Sequence, residues 1–283
     1  MEMMGSSQGE KIRQIIRAAL DEDIGSGDVT TDAALTGEET GLARAVVKAE
    51  TVIAGIKVFR EVFLLRDPVL KVVLLIKDGE PAGAGEVVAE VSGKLASILT
   101  AERVALNLFQ RMCGIAALTR RYVEGTKGTK ARILDTRKTV PGLRILDKYA
   151  VRAGGGFNHR FGLYDGVLIK DNHISAAGGI TKAIGRIAGR APMMVRVEVE
   201  VRNLEEVREA LSAGAHVIML DNMVTEDMRK AVALIEGRAL VEASGNVTVE
   251  RVKAIAETGV DFISTGAITH SAAAADISLK INL

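Results

Sequence analysis

The strongest constraint on the fold of this chain is a regular alternation of short apolar runs and helical patterns between Arg132 and Ser264. Each run has the length and the β-branched content that are typical of a strand buried on both faces. The runs span Arg132–Leu134, Val167–Ile169, Val195–Val201, Val217–Leu220, Leu240–Glu242 and Phe262–Ser264. Because every run except the last is followed by a helical pattern, we predict an α/β fold with a parallel sheet.

The number of strand–helix pairs leaves two architectures open. About six pairs are fewer than the eight of a closed (β/α)₈ barrel, so an incomplete barrel and an open doubly wound sheet both fit the pattern. The placement of glycines favours the barrel, and no G-x-G-x-x-G segment follows an early strand, which weakens a dinucleotide-binding interpretation. Helix starts are expected at a first-turn proline or at N-cap residues, namely Pro141, Asn203, Thr225 and Thr248.

The chain before Arg132 has a different rhythm, which predicts a small α+β domain with its own sheet. Its predicted elements are a helix at Glu10–Leu20, a turn at Gly25–Asp28, a strand at Leu42–Ala49, a helix at Ile56–Leu65, a turn at Asp78–Pro81, and strands at Leu70–Ile76 and Glu86–Val91. Two helical stretches follow between Ala101 and Val123, and we expect a break between them near Cys113-Gly114.

The composition of the chain limits the classes of partner that it can bind. The 283-residue chain has a formal net charge of +1, whereas binding to nucleic acid or to an anionic membrane depends on a wide basic surface. Its one cysteine, Cys113, permits neither an intrachain disulfide nor a thiolate metal cage and is typical of a reducing compartment. The sequence has no signal-peptide pattern and no apolar stretch of the roughly 18 residues that a membrane span needs. We expect a soluble, cytoplasmic protein that binds no nucleic acid and no membrane.

Positive charge is nevertheless concentrated between Asp135 and His173, which predicts a site for a small anion. The potential donors to oxyanions in this segment are Arg137, Lys138, His159, Arg160 and Lys170. An arginine in a loop suits bidentate capture of a planar carboxylate, whereas Lys138 acts more as a point charge toward phosphate.

Polar residues also follow the predicted strands, so they meet at one rim, where α/β barrels carry their active sites. Gly245 and Gly266 lie in the last loops, which often bind phosphate through backbone N–H groups, although single glycines also serve simply as turn residues. Glu200 and Asp221 end adjacent strands, and a pair of carboxylates favours Mg²⁺. Loop-capping carboxylates are the alternative. Glu198, two residues from Glu200, is a further candidate on the same face.

These residues resemble the signatures of the quinolinate phosphoribosyltransferase family, in the same order and over nearly the entire chain. The matching segments are Gly27-Asp28-Val29-Thr30-Thr31, Thr136-Arg137-Lys138-Thr139, Pro141-Gly142-Leu143-Arg144, Lys148-Tyr149-Ala150, Gly154–Gly156 with Asn158-His159-Arg160, Ile169–His173, Glu198-Val199-Glu200-Val201, Leu220-Asp221-Asn222, Ser244-Gly245-Asn246 and the Gly266 loop.

The resemblance implies a type II phosphoribosyltransferase fold, an incomplete seven-stranded α/β barrel with an N-terminal α/β sandwich domain. We therefore expect a flexible tail at 1–9, the sandwich domain at 10–115, the barrel domain at 116–270, and a C-terminal tail at 271–283 that packs back on the sandwich domain. The pattern itself yields one strand fewer than seven. The missing strand lies in the segment interpreted as helical, or the N-terminal part of the barrel is irregular.

The resemblance further implies an enzyme of NAD biosynthesis that converts quinolinate and phosphoribosyl pyrophosphate to nicotinate mononucleotide, pyrophosphate and CO₂. Quinolinate would be held by Arg137, His159, Arg160 and Lys170, with Lys138 in the same pocket. The ribose and Mg²⁺ would face Glu200 and Asp221. The residues expected to take part in catalysis are Lys138, Lys170, Glu200 and Asp221, and those expected at the 5′-phosphate are Ser244, Gly245, Asn246, Thr265, Gly266 and Ala267. In a homodimer or higher oligomer, Arg103 would reach the neighbouring subunit's site.

Three rival functions stay open. Lys170 at a strand end is compatible with a Schiff-base aldolase. That interpretation explains less of the sequence, because it leaves the many neighbouring cations and the lack of a carbonyl-handling acid unexplained. A catalytically silent phosphate-sugar binding protein would need neither the acid pair nor the dicarboxylate clamp. A relative acting on another acceptor, such as the homologue associated with molybdate transport operons, would keep the phosphate site and change the clamp.

Overall fold

The computed structural model describes residues 7–191 and 194–282, and the chain folds into two compact units. The first unit contains the described residues up to Arg120, Thr139–Gly155, and the chain from Ser271 on; the second contains Arg121–Lys138 and Gly156–His270. The α-helices of the described residues are α1 (Ser7–Ile24), α2 (Val29–Ala34), α3 (Ile56–Arg66), α4 (Leu95–Glu124), α5 (Arg144–Ala153), α6 (Asp171–Ala177), α7 (Ile180–Ala188), α8 (Leu204–Ser212), α9 (Thr225–Ile235), α10 (Val252–Ala256) and α11 (Ala267–His270). The strands are β1 (Thr40–Val47), β2 (Thr51–Val52), β3 (Lys71–Leu74), β4 (Pro81–Ala82), β5 (Val87–Lys94), β6 (Arg132–Leu134), β7 (Val167–Ile169), β8 (Val197–Val201), β9 (Val217–Asp221), β10 (Leu240–Ser244), β11 (Phe262–Ser264) and β12 (Ile277–Asn282).

The first unit is built on an antiparallel sheet with the order β12-β1-β5-β3. The C-terminal strand β12 pairs with β1 from Leu42↔Asn282 to Val47↔Ile277, so the end of the chain belongs to this sheet. The N-terminal tail expected over residues 1–9 is helical from Ser7 on, because Ser7 to Gly9 begin α1, which corrects that part of the expectation. Residues 1–6 lie outside the described residues.

Helix α4 runs without interruption from Leu95 to Glu124, so the break expected near Cys113-Gly114 is wrong. Gly114 has another function in this helix. A Cβ at this position would overlap the carbonyl of Ala273, so the glycine lets the C-terminal segment approach the helix backbone. Cys113 is buried, and its Sγ lies 3.4 Å from the backbone nitrogen of Ala54.

The second unit contains a parallel sheet of six strands with the order β6-β11-β10-β9-β8-β7. All six strands predicted from the sequence are present. Beside β6, Phe157 forms an isolated parallel bridge with Leu134, made by hydrogen bonds from Phe157 N–H to the Ile133 carbonyl (2.8 Å) and from Asp135 N–H to the Phe157 carbonyl (3.1 Å). The seventh strand that the resemblance implied thus corresponds to this one-residue bridge, and it does not lie in the helical segment.

The predicted helix starts are confirmed in part. Asn203 caps α8 by accepting a hydrogen bond from Glu206 N–H (2.9 Å), as expected. Thr225 is the first residue of α9 rather than its cap, which is Val224. Pro141 lies in a turn three residues ahead of α5, and Thr248 lies four residues ahead of α10, so neither begins its helix as predicted. Within the described part of the chain, no helix combines the length and the apolar character needed to cross a membrane.

Candidate active site

A cavity of about 800 Å³ opens where the parallel strands of the second unit end. It is lined by every predicted site residue of that unit. These residues are Arg137, Lys138, His159, Arg160, Lys170, Glu200, Asp221, Ser244, Gly245, Asn246, Thr265, Gly266 and Ala267. Arg103 differs from them, since it is an exposed residue of α4 in the first unit.

Lys170 and Glu200 face each other from neighbouring strand ends. The Lys170 ammonium Nζ lies 2.6 Å from Glu200 Oε2, and the two side chains are 46% and 11% exposed. Lys170 follows β7, and its backbone N–H donates to Nδ1 of His173 (3.0 Å), which fixes the first turn of α6. His173 therefore holds the strand end in place. The half-exposed Lys170 ammonium therefore lies beside the Glu200 carboxylate at the cavity wall.

The loop after β9 is shaped by asparagines. Asn222 has left-handed backbone geometry (φ 55°), and its side chain donates to Asp221 Oδ1 (3.0 Å) and accepts from Asn246 Nδ2 (2.9 Å). Gly245 also has a positive φ (88°), and a Cβ there would overlap the Asn222 amide. Only glycine fits this position, which brings the backbone of the β10 loop against the β9 loop.

The loop after β11 is held against Lys138. Thr269 Oγ1 donates to the Lys138 carbonyl (2.8 Å), and a Cβ on Gly266 would lie 2.8 Å from Lys138 Cδ. The alkyl part of the Lys138 side chain therefore crosses directly over the Gly266 backbone. His270 also lines the cavity.

Two arginines give the cavity its positive character. Arg160 donates to the Gly166 carbonyl (2.9 Å). Burial lowers the pKa of the Arg160 guanidinium, and the nearby charge of Arg137 lowers it further. Because an arginine ordinarily titrates above about 12, Arg160 remains charged near neutral pH. Two guanidinium groups that repel each other in this way favour a dianionic ligand.

His159 also lines the cavity and is fixed by several hydrogen bonds. Its backbone N–H donates to Oδ1 of the buried Asp135 (2.8 Å), whose Oδ2 accepts from Asn158 Nδ2 (2.6 Å). Its ring Nε2 lies 3.0 Å from Glu198 Oε2 and 3.8 Å from Glu242 Oε2. Glu198 was a candidate from the sequence and Glu242 was not, although an acid inside an apolar strand is a recognisable signal.

The glycine triplet before His159 allows close packing and a turn of the backbone, and it does not line the cavity. Gly154 ends α5, and a Cβ there would lie 2.5 Å from the Ala116 carbonyl of α4, so the glycine allows the two helices of the first unit to pack closely. Gly155 adopts a positive φ of 95°. The residues of this segment that line the cavity are His159 and Arg160, which follow the triplet.

The fold and the site together define an α/β enzyme class that binds phosphate and carboxylate groups at the ends of parallel strands. Residues 28–113 match the N-terminal domain of quinolinate phosphoribosyl transferase, and residues 115–280 match its C-terminal domain. The chain belongs to the quinolinate phosphoribosyl transferase family.

Individual relatives span almost the whole chain. The chain is 45% identical over 273 residues, 96% of its length and 94% of the relative's, to a probable nicotinate-nucleotide pyrophosphorylase [carboxylating] of Bacillus subtilis (strain 168). Identity to the Synechocystis sp. protein of the same name is 48%, with 93% and 90% of the two chains covered. Among solved structures, the nicotinate-nucleotide pyrophosphorylase from Francisella tularensis superposes with a TM-score of 0.91 at 41% identity, covering 96% of each chain.

Proposed function

We propose that this chain transfers the phosphoribosyl group of phosphoribosyl pyrophosphate to quinolinate and releases nicotinate mononucleotide, pyrophosphate and CO₂. The observation that carries the proposal is the convergence of four cations and two carboxylates on one cavity. They are Arg137, Lys138, Arg160, Lys170, Glu200 and Asp221. A dicarboxylate acceptor and a phosphorylated donor both need cations, and membership of the family agrees with this pair of substrates.

We assign the acceptor end of the cavity to four residues that line it, Arg137, His159, Arg160 and Lys170. Each guanidinium matches a planar carboxylate with two parallel N–H donors. Nicotinate carries one carboxylate and quinolinate two, so two arginines in one pocket favour quinolinate. Lys138 provides a further point charge near the Gly266 loop.

The donor end combines carboxylates with two narrow loops. Ser244–Asn246 and Thr265–Ala267 follow β10 and β11 and provide backbone N–H groups for the 5′-phosphate. Ser264 Oγ donates to Ser244 Oγ (3.0 Å), which joins the ends of the two strands. Glu200 and Asp221 would face the ribose.

Glu200 and Asp221 are also the residues that would hold Mg²⁺. Two carboxylates are too few for a protein-only cage and suit Mg²⁺, which keeps several waters and shares its coordination with substrate phosphates. Glu200 is paired with a flexible lysine ammonium, which can move to a phosphate when the cation binds. The bound cation would neutralise charge on the departing pyrophosphate.

Catalysis by these residues is mainly positioning and charge stabilisation. As pyrophosphate leaves, positive charge develops at C1 of the ribose, and Glu200 and Asp221 stabilise it while Lys138 and Lys170 stabilise the leaving oxygens. The pyridine nitrogen then forms the bond to C1. The quaternised ring accepts the electron pair of the bond to the neighbouring carboxylate, CO₂ departs, and a proton replaces it on the ring. No protein nucleophile is required.

We also propose that the chain acts in the cytoplasm as a homodimer or higher oligomer in which Arg103 completes the neighbouring subunit's site. Arg103 is exposed on α4 and belongs to the first unit, whereas the residues lining the cavity belong to the second. An exposed arginine without a role in its own core is available to a partner subunit. The single buried Cys113 agrees with a reducing compartment.

The proposal is tested by supplying phosphoribosyl pyrophosphate and Mg²⁺ with either quinolinate or nicotinate and quantifying nicotinate mononucleotide by mass spectrometry. We expect product from quinolinate only. Product from nicotinate alone, or none from either acceptor by a folded protein that binds phosphoribosyl pyrophosphate, would favour a relative with a different acceptor.

A further inference from the structure

Two buried carboxylates lie beside His159 and have no part in the chemistry proposed above. Glu198 of β8 and Glu242 of β10 have side chains that are 10% and 2% exposed. In each, Oε1 has no hydrogen-bond partner among the described protein atoms. Burial of a carboxylate costs free energy unless a hydrogen bond or a charge partner compensates it. The contacts of Glu198 and Glu242 with His159 therefore bear on this cost.

The backbone determines which ring nitrogen of His159 carries the proton. Arg160 N–H donates to His159 Nδ1 (2.8 Å), so Nδ1 is an acceptor and bears no hydrogen. The ring proton is therefore on Nε2, which lies 3.0 Å from Glu198 Oε2. This arrangement is a charge-assisted hydrogen bond directed into the protein.

The same three side chains have the spacing of a metal site, since ligand atoms of His159, Glu198 and Glu242 all lie within 4.8 Å of one another. A histidine that binds metal through Nε2 normally donates its Nδ1–H to an acceptor. Here Nδ1 faces a donor, the Arg160 N–H. The geometry therefore favours a proton over a metal ion between His159 and Glu198.

Glu242 is a second group beside the same carboxylate. Burial, followed by the negative charge of Glu198, raises the pKa of Glu242 to about 8. Ligand atoms of the two carboxyl groups lie within 4.8 Å of each other. A Glu242 that keeps its proton adds no second negative charge beside Glu198 and has an O–H to donate.

We propose that Glu198 is a positioning residue for the acceptor pocket, which holds His159 in the Nε2–H form and thereby fixes the backbone that presents Arg160. This inference rests on the proposed function for its substrate. Because His159 N–H also binds Asp135, the residue is held at its backbone and at both ring nitrogens. In this role His159 fixes the position of its own ring and of Arg160, and its Nε2 proton points to Glu198.

The kinetic test compares three variants that each replace a buried carboxylate by its amide. Glu198→Gln removes the anionic acceptor of His159, and we expect KM for quinolinate to rise about tenfold, the loss of one charged hydrogen bond, while kcat and KM for phosphoribosyl pyrophosphate change less than about threefold. Glu242→Gln retains an N–H donor and should raise KM for quinolinate less than Glu198→Gln. Glu61→Gln is the matched control, because Glu61 is 12% exposed at its side chain and pairs with Arg13 (2.7 Å) in the first unit. A KM for quinolinate that is the same in Glu198→Gln and Glu61→Gln would overturn the proposal.

A spectroscopic arm separates positioning from general damage to the fold. Long-range ¹H–¹⁵N spectra of the four histidines report which ring nitrogen is protonated, and we expect His159 of the wild type in the Nε2–H form. His173 and His216, whose Nδ1 atoms accept from the Lys170 and Val197 N–H groups, serve as internal references. In Glu198→Gln only the His159 signals should change. A wild-type His159 protonated at Nδ1 at neutral pH would overturn the proposal.

This arm needs no turnover. If the wild type fails to convert quinolinate, the proposed function fails, whereas the protonation state of His159 still decides the role of Glu198.

Discussion

Two cation–carboxylate pairs in this protein use the same chemistry for different ends. In the first unit, Arg111 binds Asp147 through two hydrogen bonds (2.9 and 2.8 Å), Val140 N–H donates to the same carboxylate (3.2 Å), and Asp147 is fully buried. In the second unit, Lys170 and Glu200 meet through one contact of 2.6 Å at a cavity wall, with Lys170 about half exposed. A carboxylate saturated by protein donors stabilises the fold, whereas a carboxylate facing a flexible ammonium stays available to a ligand.

The largest effect that tests this contrast is loss of activity on replacing Lys170. We expect Lys170→Ala to lower kcat/KM about a thousandfold, or about 4 kcal/mol of transition-state stabilisation, because its charge serves the substrates. The melting temperature should fall less than it does in Arg111→Ala, because Lys170 is 46% exposed and Glu200 faces a cavity that water can enter. Lys230→Ala is the control, because Lys230 forms exposed pairs with Glu226 (3.0 Å) and Asp227 (3.2 Å) on α9 and should affect neither quantity. A large fall in melting temperature with activity retained would reverse the assignment.

The opposite outcome is expected for Arg111. Arg111→Ala leaves the Asp147 carboxylate buried without its cation, which should lower the free energy of unfolding by about 3–5 kcal/mol in urea denaturation. The double change Arg111→Met with Asp147→Leu should recover much of that loss, because it removes the uncompensated charge as well. Equal destabilisation by the single and the double variant would show that packing, and not charge, is responsible.

The pH dependence of the free energy of unfolding tests whether the buried Glu242 has a raised pKa. Because the pKa of Glu242 is raised from 4.5 to about 8, the folded protein keeps a proton that the unfolded chain releases, so its stability falls as the pH rises through this window. The charged and titratable groups at Glu242 are Glu198 and His159. Arg160, Arg196 and Asp165 line a second cavity, distinct from the active-site cavity, which Glu198 and Glu242 also line. Glu242→Gln has no such proton. The free energy of unfolding of this variant should therefore rise, relative to that of the wild type, by on the order of a few kcal/mol between pH 5 and pH 8. A difference that is constant across this range would contradict the raised pKa.

Substrate selectivity provides the next test. Arg137→Ala should weaken quinolinate binding about thirtyfold by calorimetry and phosphoribosyl pyrophosphate binding less than about threefold, because a bidentate carboxylate contact is lost. Arg202→Ala is the control, since Arg202 is exposed and bonds to Asp171 (2.9 Å). Equal weakening of both substrates would remove the acceptor role from Arg137.

The smallest expected signal concerns the oligomer. Arg103→Ala and Lys170→Ala subunits are each expected to be inactive. After mixing and exchange, a dimer with shared sites should recover about a quarter of the wild-type activity, because half of the dimers are hybrids with one intact site. No recovery, once hybrids are shown to form by native mass spectrometry, would place Arg103 in its own subunit's site or outside the mechanism.

Much of the second unit was predictable because its strands are short and apolar throughout. β6, β7 and β11 begin and end where the sequence predicts, since strands buried on both faces leave an uninterrupted apolar signal. The seventh strand position was not predictable, because a one-residue bridge at Phe157 has no periodicity. The break predicted at Gly114 was wrong because the glycine accommodates Ala273, a contact distant in sequence.

The site was predictable to the extent that its residues follow strands or match family segments. Arg137, Lys170, Glu200 and Asp221 were all identified in this way and line one cavity. Glu242 was missed, because its meaning depends on Glu198 and His159, which reach it from other strands and loops. An acid inside an apolar strand is a local signal, but a single sequence does not show which residue it acts through.

The most direct test of the central claim is the release of CO₂ from carboxyl-labelled quinolinate, measured together with pyrophosphate. We predict release in a one-to-one ratio with pyrophosphate, dependent on both phosphoribosyl pyrophosphate and Mg²⁺, and abolished in Lys170→Ala. Pyrophosphate formation without labelled CO₂, or release of CO₂ that does not require phosphoribosyl pyrophosphate, would contradict a decarboxylating phosphoribosyl transfer at this cavity.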